Sequence, residues 1–378
     1  MARLFSVALL AAAVQWMLFA GLVSGDAVQD LQKKVRPNLD AAIAKSKTCT
    51  KEKLQIRKEW GDIPAAEKKQ YIAAMLCMMS KPSKMDQKKY PGVKSRYDDF
   101  VAVHINQTMN IHGTGSFLSW HRYYTWAFEN VLRTECGYTG TQPYWDWAKW
   151  SADPEKSPIF DGSDTSLSGN GKKISHKASM YGPAGNGGGC VETGPFKNMT
   201  VHLGPISPAV DPAPPRNPRS DGYGDNPRCL RRDISNYLSS RYLRTQDIVT
   251  LLNSKDLNTF QNVMQGAGGA GGAGMGVHSA GHFTIAGDPG ADFYTSPNDP
   301  AFWLHHGMID RTWSIWQMQD LNARVNIISG GTSMMGGFGG KQQSLDDNVD
   351  LGVVADKVYK IRDLVSTVDG PFCYTYDS

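Results

Sequence analysis

Two clusters of histidines constrain this chain more than any other feature. Of its nine histidines, His104, His112 and His121 form one compact group, and His278, His282, His305 and His306 form another far downstream. The downstream group ends in the run from Asn298 to Trp316, which opens as a helix should. Asp299 is a good N-cap, and Pro300 at the first helical position gives up only an N–H that has no partner there. Phe302, His306, Ile309, Trp313 and Trp316 then recur at helical spacing, which predicts a helix over 300–319 with His306 on its apolar stripe. His305 falls roughly 100° away from that stripe. A single histidine in such a place reads as a core residue bonded to a carbonyl. Two groups of similar layout, each with a histidine inside an aromatic helix, point instead to two metal ions.

The first group repeats the pattern. Tyr97, Phe100, Val101 and His104 share one face of a helix predicted over 95–109, and Phe117, His121, Tyr124, Phe128 and Leu132 share one face of a helix over 117–136. Gly113 and Gly115 allow a tight turn that returns His112 beside His121. His278 and His282 are four apart and project from one face of a helix over 276–285. No glutamate follows His278, so the zinc-protease arrangement is absent. Six imidazoles without a carboxylate or thiolate suit a pair of copper ions better than non-haem iron or bridged zinc, both of which recruit carboxylates.

A slight net charge of +4 with no basic block excludes nucleic acid as a natural partner. An apolar run from Leu4 to Val23 follows Arg3 and ends in small residues, so 1–25 reads as a cleaved secretory signal peptide, leaving a secreted chain with no membrane span. Residues 26–378 read as one domain, with lysine-rich 26–47 as a short helix, a flexible N-terminus or a removed propeptide. Six scattered cysteines, Cys49, Cys77, Cys136, Cys190, Cys229 and Cys373, fit three disulfides in an exported protein, with the pairing open. Asn106 and Asn198 begin glycosylation acceptor triplets. The pattern predicts a further helix over 64–79, capped by Asp62, and helical character over 234–264. The glycine- and proline-rich stretch 151–228 reads as long ordered loops pinned by Cys190 and Cys229, and His176 and His202 within it read as surface residues. The Gly266–Gly276 run lacks the Lys-Ser/Thr ending of a phosphate loop.

The chain resembles the coupled dicopper (type 3 copper) proteins: tyrosinases, catechol oxidases and molluscan haemocyanins. The resemblance rests on His112 with eight residues before His121, Phe-Leu-x-Trp-His-Arg at 117–122, His278-x-x-x-His282, and Asn-Asp-Pro-x-Phe-x-Leu-His-His at 298–306 with Asp310-Arg311 beyond. It is closest to short secreted fungal polyphenol oxidases, whose Tyr-Asp-Asp-Phe-Val-Ala-x-His run is similar to 97–104. The resemblance implies a mainly α fold, a four-helix bundle around a dicopper centre with long ordered loops and little β. It implies that His104, His112 and His121 hold copper A and that His278, His282 and His306 hold copper B. His305 and Asp310 would stand behind the ligands, orienting them, and Phe293 would lie over copper B near the substrate path. Dioxygen and a small phenol are the implied substrates.

Two departures bear on the reaction. Relatives that join a cysteine to the second copper A histidine have no counterpart here, because Asn110 stands two residues before His112. Relatives that hydroxylate monophenols well pair an asparagine after the first copper B histidine with an upstream glutamate, whereas here Ser279 follows His278 and the upstream glycine run has no acid. The expectation is therefore oxidation of o-diphenols to o-quinones with weak or no monophenol hydroxylation. The alternatives are a full tyrosinase and a haemocyanin-like dioxygen carrier.

Overall fold

The computed structural model describes residues 27–266, 274–334 and 340–377; the expected signal peptide and the middle of the glycine run lie outside the described residues. The fold is mainly helical, with short paired strands and long loops around a helical core. Its elements begin with α1 (Ala27–Lys45), β1 (Gln55–Arg57), α2 (Ala65–Ser80), α3 (Arg96–Ile111) and α4 (Phe117–Cys136). After the loop region, with its antiparallel pairs β2 (Gly171–Lys173) with β3 (Gly188–Val191) and β4 (Thr200–Val201) with β5 (Arg228–Cys229), come α5 (Asn236–Tyr242), α6 (Thr245–Leu252) and α7 (Leu257–Gln265). The chain continues through α8 (Val277–Ile285), α9 (Gly287–Gly290), α10 (Ala301–Met318) and α11 (Leu321–Arg324). It closes with β6 (Asn348–Val349), β7 (Tyr359–Lys360) and β8 (Tyr374–Tyr376).

Helices α3, α4, α8 and α10 make the bundle that the histidine stripes imply. Ser95 starts α3 with a capping box: its hydroxyl accepts from Asp98 N–H, and the Asp98 carboxylate accepts from Ser95 N–H, an arrangement worth about 1 kcal/mol. Gly137, at φ 69°, ends α4 in the left-handed conformation that glycine tolerates. Asp299 lies one residue before the assigned cap of α10, yet its carboxylate accepts from Ala301 N–H at 2.8 Å, so it caps as its side chain predicts. Aromatic contacts key the three long helices together. Phe128 of α4 stacks on Trp303 of α10 at 3.6 Å, and Tyr97 of α3 accepts a hydrogen bond from the Trp303 indole at 3.1 Å.

The structure settles what the sequence left open and corrects the expected Asp62 cap and the surface placement of His176. Of the readings open for the lysine-rich N-terminal stretch, the short helix holds: α1 turns Val28, Val35, Leu39 and Ile43 inward and packs on α10. Gln32 donates to the carbonyls of Tyr376 and Asp377, so both ends of the domain meet there. Asp62 does not cap α2; it pairs with Lys149 at 2.8 Å. The stretch 234–264 breaks into α5, α6 and α7, because Ser235 and Asp256 cap new helices within it. The disulfides are Cys49–Cys373, Cys77–Cys136 and Cys190–Cys229. The first closes the domain beside the parallel pair of β1 and β8, the second ties α2 to α4, and the third pins the wrapped loops. His176 is no surface residue: its side chain is 4% exposed and sits 2.8 Å from Asp233. His202 is partly exposed beside Asp225.

Candidate metal centre

His104 lies within α3, His112 is the residue that caps its C-terminus, and His121 lies in α4. Each ring is anchored by Nδ1–H. His104 donates to the Tyr294 carbonyl at 2.8 Å, His112 to Thr108 at 2.9 Å and His121 to Phe117 at 2.7 Å. The last two bonds span four residues, so the local helix sets those rings. Gly113, at φ 60°, makes the turn that brings His112 back. With Nδ1 committed, Nε2 is the free nitrogen of each ring. The Nε2 atoms of His104 and His121 are buried and have no hydrogen-bond partner. A buried polar atom left unpaired costs about 1–3 kcal/mol, and a shared cation removes that cost. Burial, together with His112, pushes the His104 pKa down to about 3, and burial pushes that of His112 down to about 4. Both rings are neutral at neutral pH, as metal ligation requires.

The second group is built from α8 and α10. His282 Nε2 lies 3.2 Å from His278 Nε2 and 3.3 Å from His306 Nε2. Imidazoles holding one metal at roughly 2.0–2.1 Å in a tetrahedral array have nitrogens roughly 3.3 Å apart, so this convergence fits a single ion. Burial, followed by the neighbouring histidines, depresses all three pKa values. The two groups face each other: the His121 and His306 rings stack at 4.6 Å and 17°, and those of His112 and His278 lie 5.9 Å apart. Phe302 stacks on His306 at 4.1 Å and Phe117 meets His278 at 4.9 Å, walling the centre with apolar rings. His282 is only partly buried and marks the open side. The donor set fits a pair of soft-to-borderline ions with six neutral nitrogens.

The other sequence-predicted residues fall differently. His305 joins the second cluster in space, but both ring nitrogens are occupied, Nδ1 by the Trp147 indole N–H at 3.1 Å and Nε2 by the His278 carbonyl at 2.9 Å. Asp310 does not stand behind the ligands as expected. It accepts from Arg122 at 2.5 Å, from Arg57 at 3.4 Å, and from the Tyr374 and Tyr376 hydroxyls at 2.6 Å each. Its carboxylate is the buried counter-charge of two arginines, one of them adjacent to His121. Phe293 leans on His112 of the first group at 4.7 Å rather than covering the second, and it stays 38% exposed. Ser279 is partly buried and donates to the Gln265 carbonyl at 3.3 Å. Asn106 and Asn198 are exposed. Trp147 is the residue that sequence reading missed. The run Tyr144-Trp145-Asp146-Trp147 signals a special segment, but nothing local tells where its indole points.

Comparison with known proteins agrees with this geometry. Residues 94–319, which contain all six converging histidines, match the family described as the common central domain of tyrosinase. Tyrosinase P of Aspergillus terreus is 40% identical over 333 residues, covering 85% of this chain and 91% of its own. An N-acetyl-6-hydroxytryptophan oxidase of Emericella nidulans is 36% identical over 358 residues, covering 90% of this chain and 96% of its own. A mutant polyphenol oxidase from Thermothelomyces thermophila has a similar structure, with a TM-score of 0.85 and 38% identity over 93% of this chain and 98% of that one. With two facing histidine groups suited to two copper ions and relatives matched along most of its length, the chain belongs to the tyrosinase family of type 3 copper proteins.

Proposed function

We propose that this tyrosinase-family oxidase converts o-diphenols, or closely related hydroxyaromatics, to o-quinones, with weak or no monophenol hydroxylation. Copper A is assigned to His104, His112 and His121, and copper B to His278, His282 and His306. When bound, the two coppers supply electron exchange with dioxygen: two diphenols each give up two electrons and two protons, and one dioxygen becomes two waters. The protein's part is to hold six neutral imidazoles, to keep water out with Phe117 and Phe302, and to admit the substrate beside His282. The relative named as an N-acetyl-6-hydroxytryptophan oxidase supports extending the substrate class beyond simple catechols.

One observation carries the preference for diphenols. No carboxylate joins the histidine clusters among the described residues. Ser279 spends its hydroxyl on Gln265, and residues 267–273 are all glycine or alanine. A monophenol keeps its proton until about pH 10, and a positioned base contributes roughly 10²–10⁴-fold to a step that must remove it. Oxygen uptake on a catechol and on its matching monophenol, with a trace of diphenol to abolish the lag, tests the reading. Turnover on the catechol should exceed that on the monophenol by about a hundredfold or more, the lower end of what a positioned base contributes. Comparable rates would establish a full tyrosinase, and reversible oxygen binding without turnover would establish a carrier.

Export of the chain is part of the same proposal. The three disulfides support it, because such bonds persist in oxidising compartments. Sequencing the N-terminus of protein recovered from the medium should find a start near Asp26.

A further inference from the structure

We propose that Trp147 is a positioning residue for the second copper site, acting through His305. This rests on the assignment of His278, His282 and His306 as ligands. Helix α8 carries two of those ligands on only nine residues, and Gly276 at its start offers no side-chain cap. Its seat on α10 comes from the His305 ring. A Cβ added at Gly281 would lie 2.0 Å from His305 Cε1 and 2.3 Å from Nδ1, so the ring fills a slot that only glycine leaves open. Within that slot His305 lies nearly parallel to His278, at 13°, and its Nε2–H donates to the His278 carbonyl. The wedge therefore sets both the spacing of α8 from α10 and the rotation of the residue that carries a ligand.

Trp147 determines which form of His305 does this. Its N–H donates to Nδ1, which places the ring proton on Nε2, the only nitrogen that reaches the His278 carbonyl. The same bond covers a lone pair that would otherwise be a fourth imidazole nitrogen in a cluster whose donor atoms all lie within 4.8 Å. Trp147 is itself held firmly. It is fully buried, and the segment before it lies along α10: Trp145 N–H donates to the Leu304 carbonyl at 3.0 Å, and a Cβ at Gly307 would meet the Pro143 carbonyl at 2.8 Å. Asp146 adds a charge contact to Arg311 of the same helix at 3.6 Å. The indole thus reports the position of α10 to α8.

The test uses the copper-loaded protein. Trp147→Phe keeps an aromatic ring and removes the N–H. It should weaken copper binding at the second site about 10–100-fold, the usual effect of removing a hydrogen bond that orients a ligand. It should also alter the nitrogen couplings in the electron paramagnetic resonance spectrum of the half-oxidised copper pair. His305→Leu should weaken binding as much, and the double variant should be no weaker than the worse single, because the two residues act through one another. His305→Gln, which keeps a donor for the His278 carbonyl, should retain more copper than His305→Leu. Trp60→Phe removes another indole bond, to the Pro158 carbonyl at 3.2 Å, and should lower the melting temperature without touching copper. Unchanged affinity and couplings in Trp147→Phe, or losses that simply add in the double variant, would overturn the proposal. If Trp147→Phe does not fold, equal copper affinity in His305→Gln and His305→Leu would overturn it. A His306→Ala variant that keeps two coppers would instead refute the ligand assignment beneath it.

Discussion

The two halves of the metal centre hold their imidazoles by different means. In the first, His112 and His121 are tethered to carbonyls four residues back, and only His104 reaches a distant partner, Tyr294. In the second, α8 and α10 meet through His305, and the bond that orients His305 comes from Trp147, which is 158 residues away in sequence. The first triad is therefore set largely by local helix geometry, while the second depends on tertiary contacts between segments that fold separately. His282, on the open side, adds exposure to that dependence. Local anchoring makes a site sturdy, whereas long-range anchoring makes a site that mutation can tune or loosen without disturbing the helices themselves.

The sharpest way to break this comparison is at the adjacent histidines. His306→Ala should remove one of the two coppers and lower oxidase activity by at least about a hundredfold. His305→Ala should keep both at saturating copper, although it binds the second more weakly. Copper per chain, measured with oxygen uptake, checks both expectations. Loss of a copper from His305→Ala at saturation, with retention in His306→Ala, would reverse the assignment.

Asp310 should matter to both halves equally, because it joins α4, α10, β1 and β8 at one buried carboxylate. Asp310→Asn leaves Arg57 and Arg122 without their full counter-charge in the core, which should cost about 3–5 kcal/mol in denaturant unfolding. Burial by itself would raise the Asp310 pKa, but Arg122 and Arg57, helped by the Tyr374 and Tyr376 hydroxyls, outweigh it and hold the carboxyl below 3.8. A depressed folded-state pKa gives stability that is complete above the unfolded value and lost as pH falls below it. The difference in stability between the parent and Asp310→Asn should accordingly shrink below pH 3.8 and stay constant above it. A difference that grows on acidification would contradict the assigned charge.

Chelation sharpens the contrast without mutation. A competing chelator should empty the second triad several times faster than the first, as the appearance of singly loaded protein would show, because its fastening opens with the α8–α10 contact. Equal rates would mean that local anchoring confers no advantage. The smallest expected effect is at Phe293, which contacts His112 yet remains part exposed. Phe293→Ala should change the KM for bulky catechols by about 2–10-fold, the worth of one aromatic contact, and leave copper content intact. An unchanged KM with a lowered melting temperature would make it a loop anchor.

The sequence alone determined the long helices and the histidine stripes upon them. Helix α4 begins and ends where its pattern predicts, and α3, α8 and α10 differ from their patterns by one or two residues. These were legible because helical periodicity and capping are local, and because six histidines with aromatic neighbours on inward faces leave little else to bury them. Tertiary structure decided the rest. It docked the lysine-rich segment as α1, paired the cysteines, buried His176 against Asp233, and set Asp310 among arginines instead of behind the ligands. It also placed Phe293 on the first triad and brought the Trp147 indole to His305. Each of these depends on a partner remote in the chain. A hydrogen bond or ring contact between such residues forms only once the helices have packed, and no periodicity in the intervening sequence encodes it.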